Sequence, residues 1–275
     1  MYESFKWQWP GYFKMKKLIY QVYVGKRSRL YDHCTESVKK YAEWIDADYI
    51  CQKQPILKIK PDVFNTNRSK ESYEKYGGYL PIYEKENAFS YFKEYDQIAI
   101  IDADVYIRNN SPNFFDELTE DYDFGGVVEK EMPLTQIYQQ KILNYSHMQY
   151  GSLKVWEDWS PQVPAPFMNM GIMLMNQSFS KYLEGQTPRQ FIERSEFKMF
   201  VDGLGAWKWS TDQTLLNYWI NKERMSIKKL HWKWNGLFSA NTKIKECHFI
   251  HFFLKDKLPE SGENVEQLME VINAS

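Results

Sequence analysis

Residues 95–107, YDQIAIIDADVYI, decide the fold. The core of this stretch, Gln97–Ile101, is short, apolar and rich in β-branched side chains, which predicts a buried strand. The strand runs into two carboxylates, Asp102 and Asp104, with Ala103 between them. In extended backbone, residues two apart point the same way, so both carboxylates are expected on one side. Open α/β sheets bind ligands beyond the carboxyl ends of their strands. Two carboxylates held there repel each other unless a cation lies between or near them. Mn²⁺ or Mg²⁺ suits such a pair, being hard, oxygen-seeking and commonly shared with substrate phosphates. The chain carries its own control: Asp46-Ala47-Asp48 repeats the pattern. That copy follows a helix-patterned segment and precedes a strand, so it reads as a helix end with no cation.

Outward from this stretch, strands alternate with helices. Residues 18–24 (LIYQVYV) read as a buried strand ended by Gly25, and 48–52, 123–128, 171–175 and 247–253 as further strands. Helical spacing is expected over 30–44, 79–95, 187–200 and 211–221, the last capped by Ser210 or Thr211, and over a tail from Glu263. Residues 111–119 open like a helix with Ser111 as cap and Pro112 in the first turn, and 60–75 read as a loop. The alternation predicts an α/β fold: one domain with a Rossmann-like, mixed but mostly parallel sheet and helices on both faces. The expected division is an N-terminal arm (1–14), a domain (15–262) with an insertion near 130–166, and a C-terminal helix (263–275).

Composition excludes some partners. The 275 residues carry a net charge of −1, so there is no basic excess for nucleic acid. No apolar run approaches the roughly 20 residues of a membrane span, and no secretory signal is visible. Three scattered cysteines without a CxxC pair point to a reducing, cytoplasmic setting and no zinc site. The 10 Trp, 20 Tyr and 17 Phe are an unusually large aromatic share. They read either as packing or as the lining of a groove for sugars or a nucleobase.

A second candidate run is HFIHFFLKDK, 248–257. His248 and His251 are three apart on a strand and face opposite ways, so at most one joins the two Asp. Imidazole is a competent third ligand for Mn²⁺. Lys255 and Lys257 follow, either as phosphate contacts or as a solvated turn. Asn169 and Gly171 border a strand, and Asp212 and Gln213 open a helix, either at a ligand or as an ordinary turn and cap.

In order, Asp102-Ala103-Asp104, Asn169-Met170-Gly171, Asp212-Gln213-Thr214-Leu215-Leu216-Asn217, and His251 with Lys257 resemble the glycogenin-like and lipopolysaccharide-galactosyltransferase-like family of retaining glycosyltransferases. The resemblance spans roughly residues 18–257. It implies a GT-A fold and transfer of a hexose from a nucleotide sugar, with UDP the expected nucleotide. Asp102, Asp104 and His251 would bind Mn²⁺, and Lys257 the diphosphate. Asp212 and Gln213, with Asn169, would lie near the reacting carbon, while Tyr23, Val24, Tyr31, Ala103 and Gly171 would border the donor. The family's donor-binding lysine falls at Glu86, with Lys85 beside it. The usual glycine after the His-Phe strand is replaced by Phe253-Leu254, and the segment between the Asp pair and Asn169 is longer than usual. The acceptor, whether saccharide, lipid-linked or protein, is left open, with the aromatic 130–166 segment a reasonable place for it.

Three other readings compete. An inverting transferase needs a carboxylate base, for which Glu157-Asp158 is the candidate. A nucleotidyltransferase would want a longer glycine-rich loop than Gly25-Lys26-Arg27. The aromatic content alone would also suit a non-catalytic carbohydrate-binding protein.

Overall fold

The computed structural model of the protein describes residues 15–62 and 67–273; the expected arm, 1–14, lies outside them. The chain runs β1 (Lys17–Val22), α1 (Arg29–Trp44), β2 (Asp48–Gln52), α2 (Asn67–Tyr76), β3 (Gln97–Ile101), β4 (Val105–Ile107), β5 (Phe124–Val128), α3 (Gln136–Tyr150) and β6 (Met168–Asn176). It continues through α4 (Pro188–Ile192), α5 (Lys198–Asp202), α6 (Asp212–Lys222), β7 (Ile227–Lys229), β8 (Gly236–Leu237), β9 (Phe249–His251) and α7 (Val265–Asn273). The main sheet has the order β2-β1-β3-β6-β5-β7. Every pairing in it is parallel except those of β6, which is antiparallel to β3 and β5. The sheet is therefore mixed and mostly parallel, as the alternation of elements predicts.

Strand residues sort by parity between two cores. Leu18, Tyr20, Ile98 and Ile100 enter one cluster, and Ile19, Ala99 and Ile101 enter the other. Burial on both faces is why β3 reads as one unbroken apolar run. Many of the aromatics are packing residues: Phe89, Phe179, Phe191, Phe197 and Trp219 form a contiguous set of ring contacts.

A second sheet, β4-β9-β8, positions the site. The chain leaves β3 through a turn in which the Val105 N–H bonds the Asp102 carbonyl at 3.1 Å. It then enters β4, whose Val105 pairs with His251 of β9. The two carboxylates thus converge through a turn, not through the strand alternation expected from sequence.

Other elements also differ from expectation. The segment 60–75 contains α2, whose sequence NRSKESYEKY has no apolar stripe to announce a helix. Residues 79–95 form 3-10 turns at Pro81–Tyr83 and Lys85–Lys93 instead of a continuous α-helix, with Lys85 to Phe89 buried in succession. The helix expected over 187–200 is split into α4, opened by a Thr187–Gln190 capping box, and α5, with a 3-10 turn between. Residues 111–119 yield only a 3-10 turn at Phe114–Glu117, capped by Asn113 instead of Ser111. The 130–166 segment contains α3. Asp46 ends the helical segment in a left-handed conformation, φ 57°, and Asp48 starts β2, which accounts for the second Asp-Ala-Asp copy.

Candidate active site

Asp102, Asp104 and His251 meet at the carboxyl end of β3. The His251 Nε2 lies 3.3 Å from Asp104 Oδ1 and 3.9 Å from Asp102 Oδ2. One ligand atom from each residue lies within 4.8 Å of the others, and among the described residues this is the one such trio of potential ligands. Two oxygens and one imidazole nitrogen at this spacing fit a divalent cation of the Mn²⁺ or Mg²⁺ type. Burial opposes charge on both partners of the His251–Asp104 pair, yet their attraction prevails. The imidazole pKa is raised and the carboxyl pKa lowered. His248 faces the other way, its ring 4.9 Å from that of Trp234, and burial lowers its pKa.

Gly171 makes room for this histidine. A Cβ at position 171 would lie 2.7 Å from His251 Nδ1 and 3.0 Å from Asn169 Oδ1. Its role is therefore clearance for the ring. The strand around it is irregular: β5–β6 pairing passes from Gly126↔Met173 to Val127↔Asn169, so residues 170–172 have no partner on β5. The freed groups are satisfied from the side. Gln213 Oε1 accepts from the Met170 N–H at 3.2 Å, and the Met170 carbonyl accepts from Lys85 Nζ at 2.8 Å.

Lys85 is the hub of the charges. Its Nζ sits 2.8 Å from Asp102 Oδ1 and 2.8 Å from Asp212 Oδ2. Burial works against the ammonium, but Asp102 and Asp212 more than offset it and the pKa is raised. Asp212 itself is shifted up by burial, with Lys85 acting against that shift. It opens α6 under the Thr211 cap, whose hydroxyl accepts from the Gln213 N–H. Four residues on, Asn217 accepts from the Met168 N–H and donates to the Met168 carbonyl, both at 2.8 Å. The Asp-Gln-x-x-Leu-Asn run thus combines one site carboxylate with two amides that pin the start of β6.

A cavity of about 260 Å³ opens beside these groups. Asp102, Asp104, Lys85 and Asp212 line it with charged groups, and Val22, Val24, Tyr31, Ile82 and Ala103 with largely apolar ones. Tyr23 does not reach it. That side chain is buried, with its hydroxyl on the Ser28 backbone and its ring edge-on to Tyr31. Asn169 is also committed: Nδ2 donates to Glu129 Oε1 at 2.7 Å, and Oδ1 accepts from the Gly171 N–H at 3.0 Å. Lys257 is exposed and does not line the cavity, and Lys255 is held by Ser28 and Glu263. Between β9 and these lysines, Leu254 adopts φ 57° where the resembled family has its glycine.

Two buried carboxyls escaped sequence reasoning. Glu129 follows β5 as Asp102 follows β3, so the same signal, an acid behind a buried apolar strand, was there to be read. Burial pushes its pKa up to about 7, against the pull of Asn169 and His251. Glu86 is fully buried, and neither of its carboxyl oxygens has a hydrogen-bond partner among the described residues. Burial, and then the nearby Asp212, raise its pKa well above the usual value. Glu157, by contrast, is an exposed surface residue 3.9 Å from Arg224.

This sheet, with its acidic turn beyond the central strands, is the GT-A fold of glycosyltransferases. A glycosyltransferase involved in the glycosylation of the major capsid of PBCV-1 aligns with a TM-score of 0.53 at 11% identity, over 92% of this chain and 99% of that one. The galactosyltransferase LgtC, solved with donor and acceptor sugar analogs, aligns with a TM-score of 0.53 at 12% identity, over 93% of this chain and 95% of that one. Identities this low establish a shared fold. No family model and no curated protein matches the sequence. Among the described residues, no helix is long and apolar enough to cross a membrane.

Proposed function

We propose that the protein is a divalent-cation-dependent glycosyltransferase that moves a hexose from a nucleoside-diphosphate sugar, with UDP the expected nucleotide, and retains anomeric configuration. One observation carries this reading: Asp102, Asp104 and His251 converge beside a cavity at the carboxyl ends of β1 and β3, in a GT-A fold. These three residues would hold Mn²⁺ or Mg²⁺, which when bound offsets the charge on a departing diphosphate. The apolar lining residues Val22, Val24 and Tyr31 suit a nucleobase. Asp212, anchored by Lys85, supplies the carboxylate next to the reacting sugar, and Gln213 beside it holds the Met170 backbone. In a retaining reaction the acceptor hydroxyl attacks from the face that the diphosphate leaves. An inverting reaction would need a carboxylate base beside the acceptor; Glu157 is exposed next to Arg224, and the buried Glu129 does not line the cavity. The acceptor (saccharide, lipid-linked or protein) is unassigned. Free thiols at Cys34, Cys51 and Cys247 suit a cytoplasmic setting.

The test is a panel of nucleotide sugars with Mn²⁺, read as release of free nucleoside diphosphate. Release is expected to stop with EDTA and with Asp104→Ala. Absence of nucleoside-diphosphate binding by calorimetry would refute every transferase reading. The anomeric configuration of the product separates retention from inversion.

A further inference from the structure

We infer that Asn235 and Glu129 are positioning residues that fix the tautomer and ring plane of His251. Neither residue lines the cavity beside Asp102. The inference rests on the reading of His251 as a cation ligand, and the geometry orders the relay without ambiguity. The Gly171 backbone N–H can only donate, and it points at an Asn169 side-chain atom 3.0 Å away. That atom is therefore Oδ1, and the Asn169 amide nitrogen faces Glu129, 2.7 Å from Oε1. Asn235 also meets Asn169 Oδ1, at 2.8 Å, and must do so through its own amide nitrogen. The Asn235 oxygen is then left facing His251 Nδ1 at 3.3 Å. An amide oxygen only accepts, so Nδ1 carries the proton. In the neutral ring, Nε2 keeps its lone pair, and Nε2 is the atom turned toward Asp102 and Asp104.

Every member of the relay is nine-tenths or more buried: Asn235 at 0% exposure, Glu129 at 3%, His251 at 5% and Asn169 at 8%. Water does not compete effectively for these hydrogen bonds, so the amide orientations are set by the protein. Nor is the arrangement local in sequence. Asn235 lies in the loop before β8, Glu129 follows β5, Asn169 is on β6 and His251 on β9, so the network ties both sheets to the ring. An imidazole ligand needs such support because the free ring samples both tautomers, and partners behind a metal-bound histidine are commonly worth 10- to 100-fold in metal affinity. The present case uses two amides backed by a carboxyl where a direct carboxylate is more usual.

The test uses the whole protein without metal, then with Mn²⁺ alone. Long-range ¹⁵N–¹H correlation of the His251 ring, above its pKa, is expected to show the Nδ1–H tautomer in the wild type. Asn235→Leu, which removes the acceptor, is expected to mix the tautomers and to weaken calorimetric Mn²⁺ affinity by about 10- to 100-fold. Asn235→Asp keeps an acceptor at Nδ1 and is expected to retain the tautomer. Glu129→Gln still accepts from Asn169 and is expected to behave like the wild type, whereas Glu129→Leu moves in the direction of Asn235→Leu. An Nε2–H ring in the wild type would overturn the assignment, and this reading needs no variant to fold. Wild-type Mn²⁺ affinity in a folded Asn235→Leu protein would overturn it equally. A protein with the expected tautomer and Mn²⁺ affinity that turns over no nucleotide sugar would refute the proposed function and leave the relay standing.

Discussion

Replacing Gly171 with alanine tests the architecture of the site with a single methyl group. The built Cβ falls 2.7 Å from His251 Nδ1, and it lies closer still to Cε1. Non-bonded carbon and nitrogen atoms settle near about 3.5 Å, so the ring must retreat by more than about 0.8 Å or β6 must bend. Bending is disfavoured. Gly171 is held through its carbonyl by the Asp102 N–H at 2.8 Å, and Met170 on one side is held by both Lys85 and Gln213. Metal–ligand distances tolerate about 0.2 Å, so a shift of this size removes His251 as an effective ligand. The expected result is a fall in Mn²⁺ affinity of about 10- to 100-fold, or about 1.4–2.8 kcal/mol, by titration calorimetry. Overpacking is expected to cost a further 1–3 kcal/mol or so of stability in urea. A double-mutant cycle with His251→Ala isolates the cause: deleting the ring removes the clash, so the double variant should recover stability lost by Gly171→Ala alone. Wild-type Mn²⁺ affinity in Gly171→Ala, or strictly additive stability losses in the cycle, would refute the reasoning.

Two further outcomes follow from the site. His251→Ala is expected to weaken Mn²⁺ binding strongly, while His248→Ala, which faces Trp234, leaves it near the wild-type value; equal losses by calorimetry would contradict the choice of ligand. The Glu129 carboxyl has its pKa raised from 4.5 to about 7, so the folded protein keeps a proton that the unfolded chain releases. The stability from this group is fully present below about pH 4.5 and is lost as the pH rises to about 7, a change of about 3 kcal/mol. Glu129→Gln removes that dependence, so wild type minus variant in metal-free urea unfolding should decline over this window; a flat difference would exclude the shift.

The sequence was most legible where local pattern and burial coincide. β3 is buried at every position, so its apolar run announced the sheet, and the acids behind it announced the site. Strand alternation allowed at most one of His248 and His251 beside the acids, the resemblance pointed to His251, and β9 carries that residue to Asp104. Legibility failed where a residue's work is defined by a distant partner. Gly171 looked like a turn residue beside a ligand, whereas its missing side chain is what admits His251. Asn235, in the run HWKWNGL, carries no period or spacing that sets it apart from a loop asparagine. Tyr23 and Asn169 were expected at the ligand, but the backbone of Ser28 and the carboxyl of Glu129 occupy their polar groups. Lys85 was expected beside the donor as the neighbour of Glu86. Only the fold shows which of the adjacent side chains reaches the acids, because 3-10 geometry buries both.

The charges around Lys85 make a last prediction whose sign is not obvious. With His251 neutral, as a cation ligand must be, the carboxylates of Asp102, Asp104 and Asp212 against the Lys85 ammonium leave an excess of two negative charges that one divalent cation matches. The pKa of Glu86, raised well above the usual value, keeps that buried carboxyl from enlarging the excess. Lys85 and the cation therefore compete for Asp102, whose Oδ1 already accepts from the ammonium. Lys85→Met leaves Asp102 and the buried Asp212 without their partner and is expected to destabilise the metal-free protein by about 3–5 kcal/mol. The same change raises the local negative charge, so Mn²⁺ affinity is expected to hold or rise while nucleoside-diphosphate binding falls. Calorimetry on the folded variant decides the matter. A loss of Mn²⁺ affinity would mean that Lys85 orients Asp102 for the cation, and the competition argued from its two 2.8 Å contacts would be wrong.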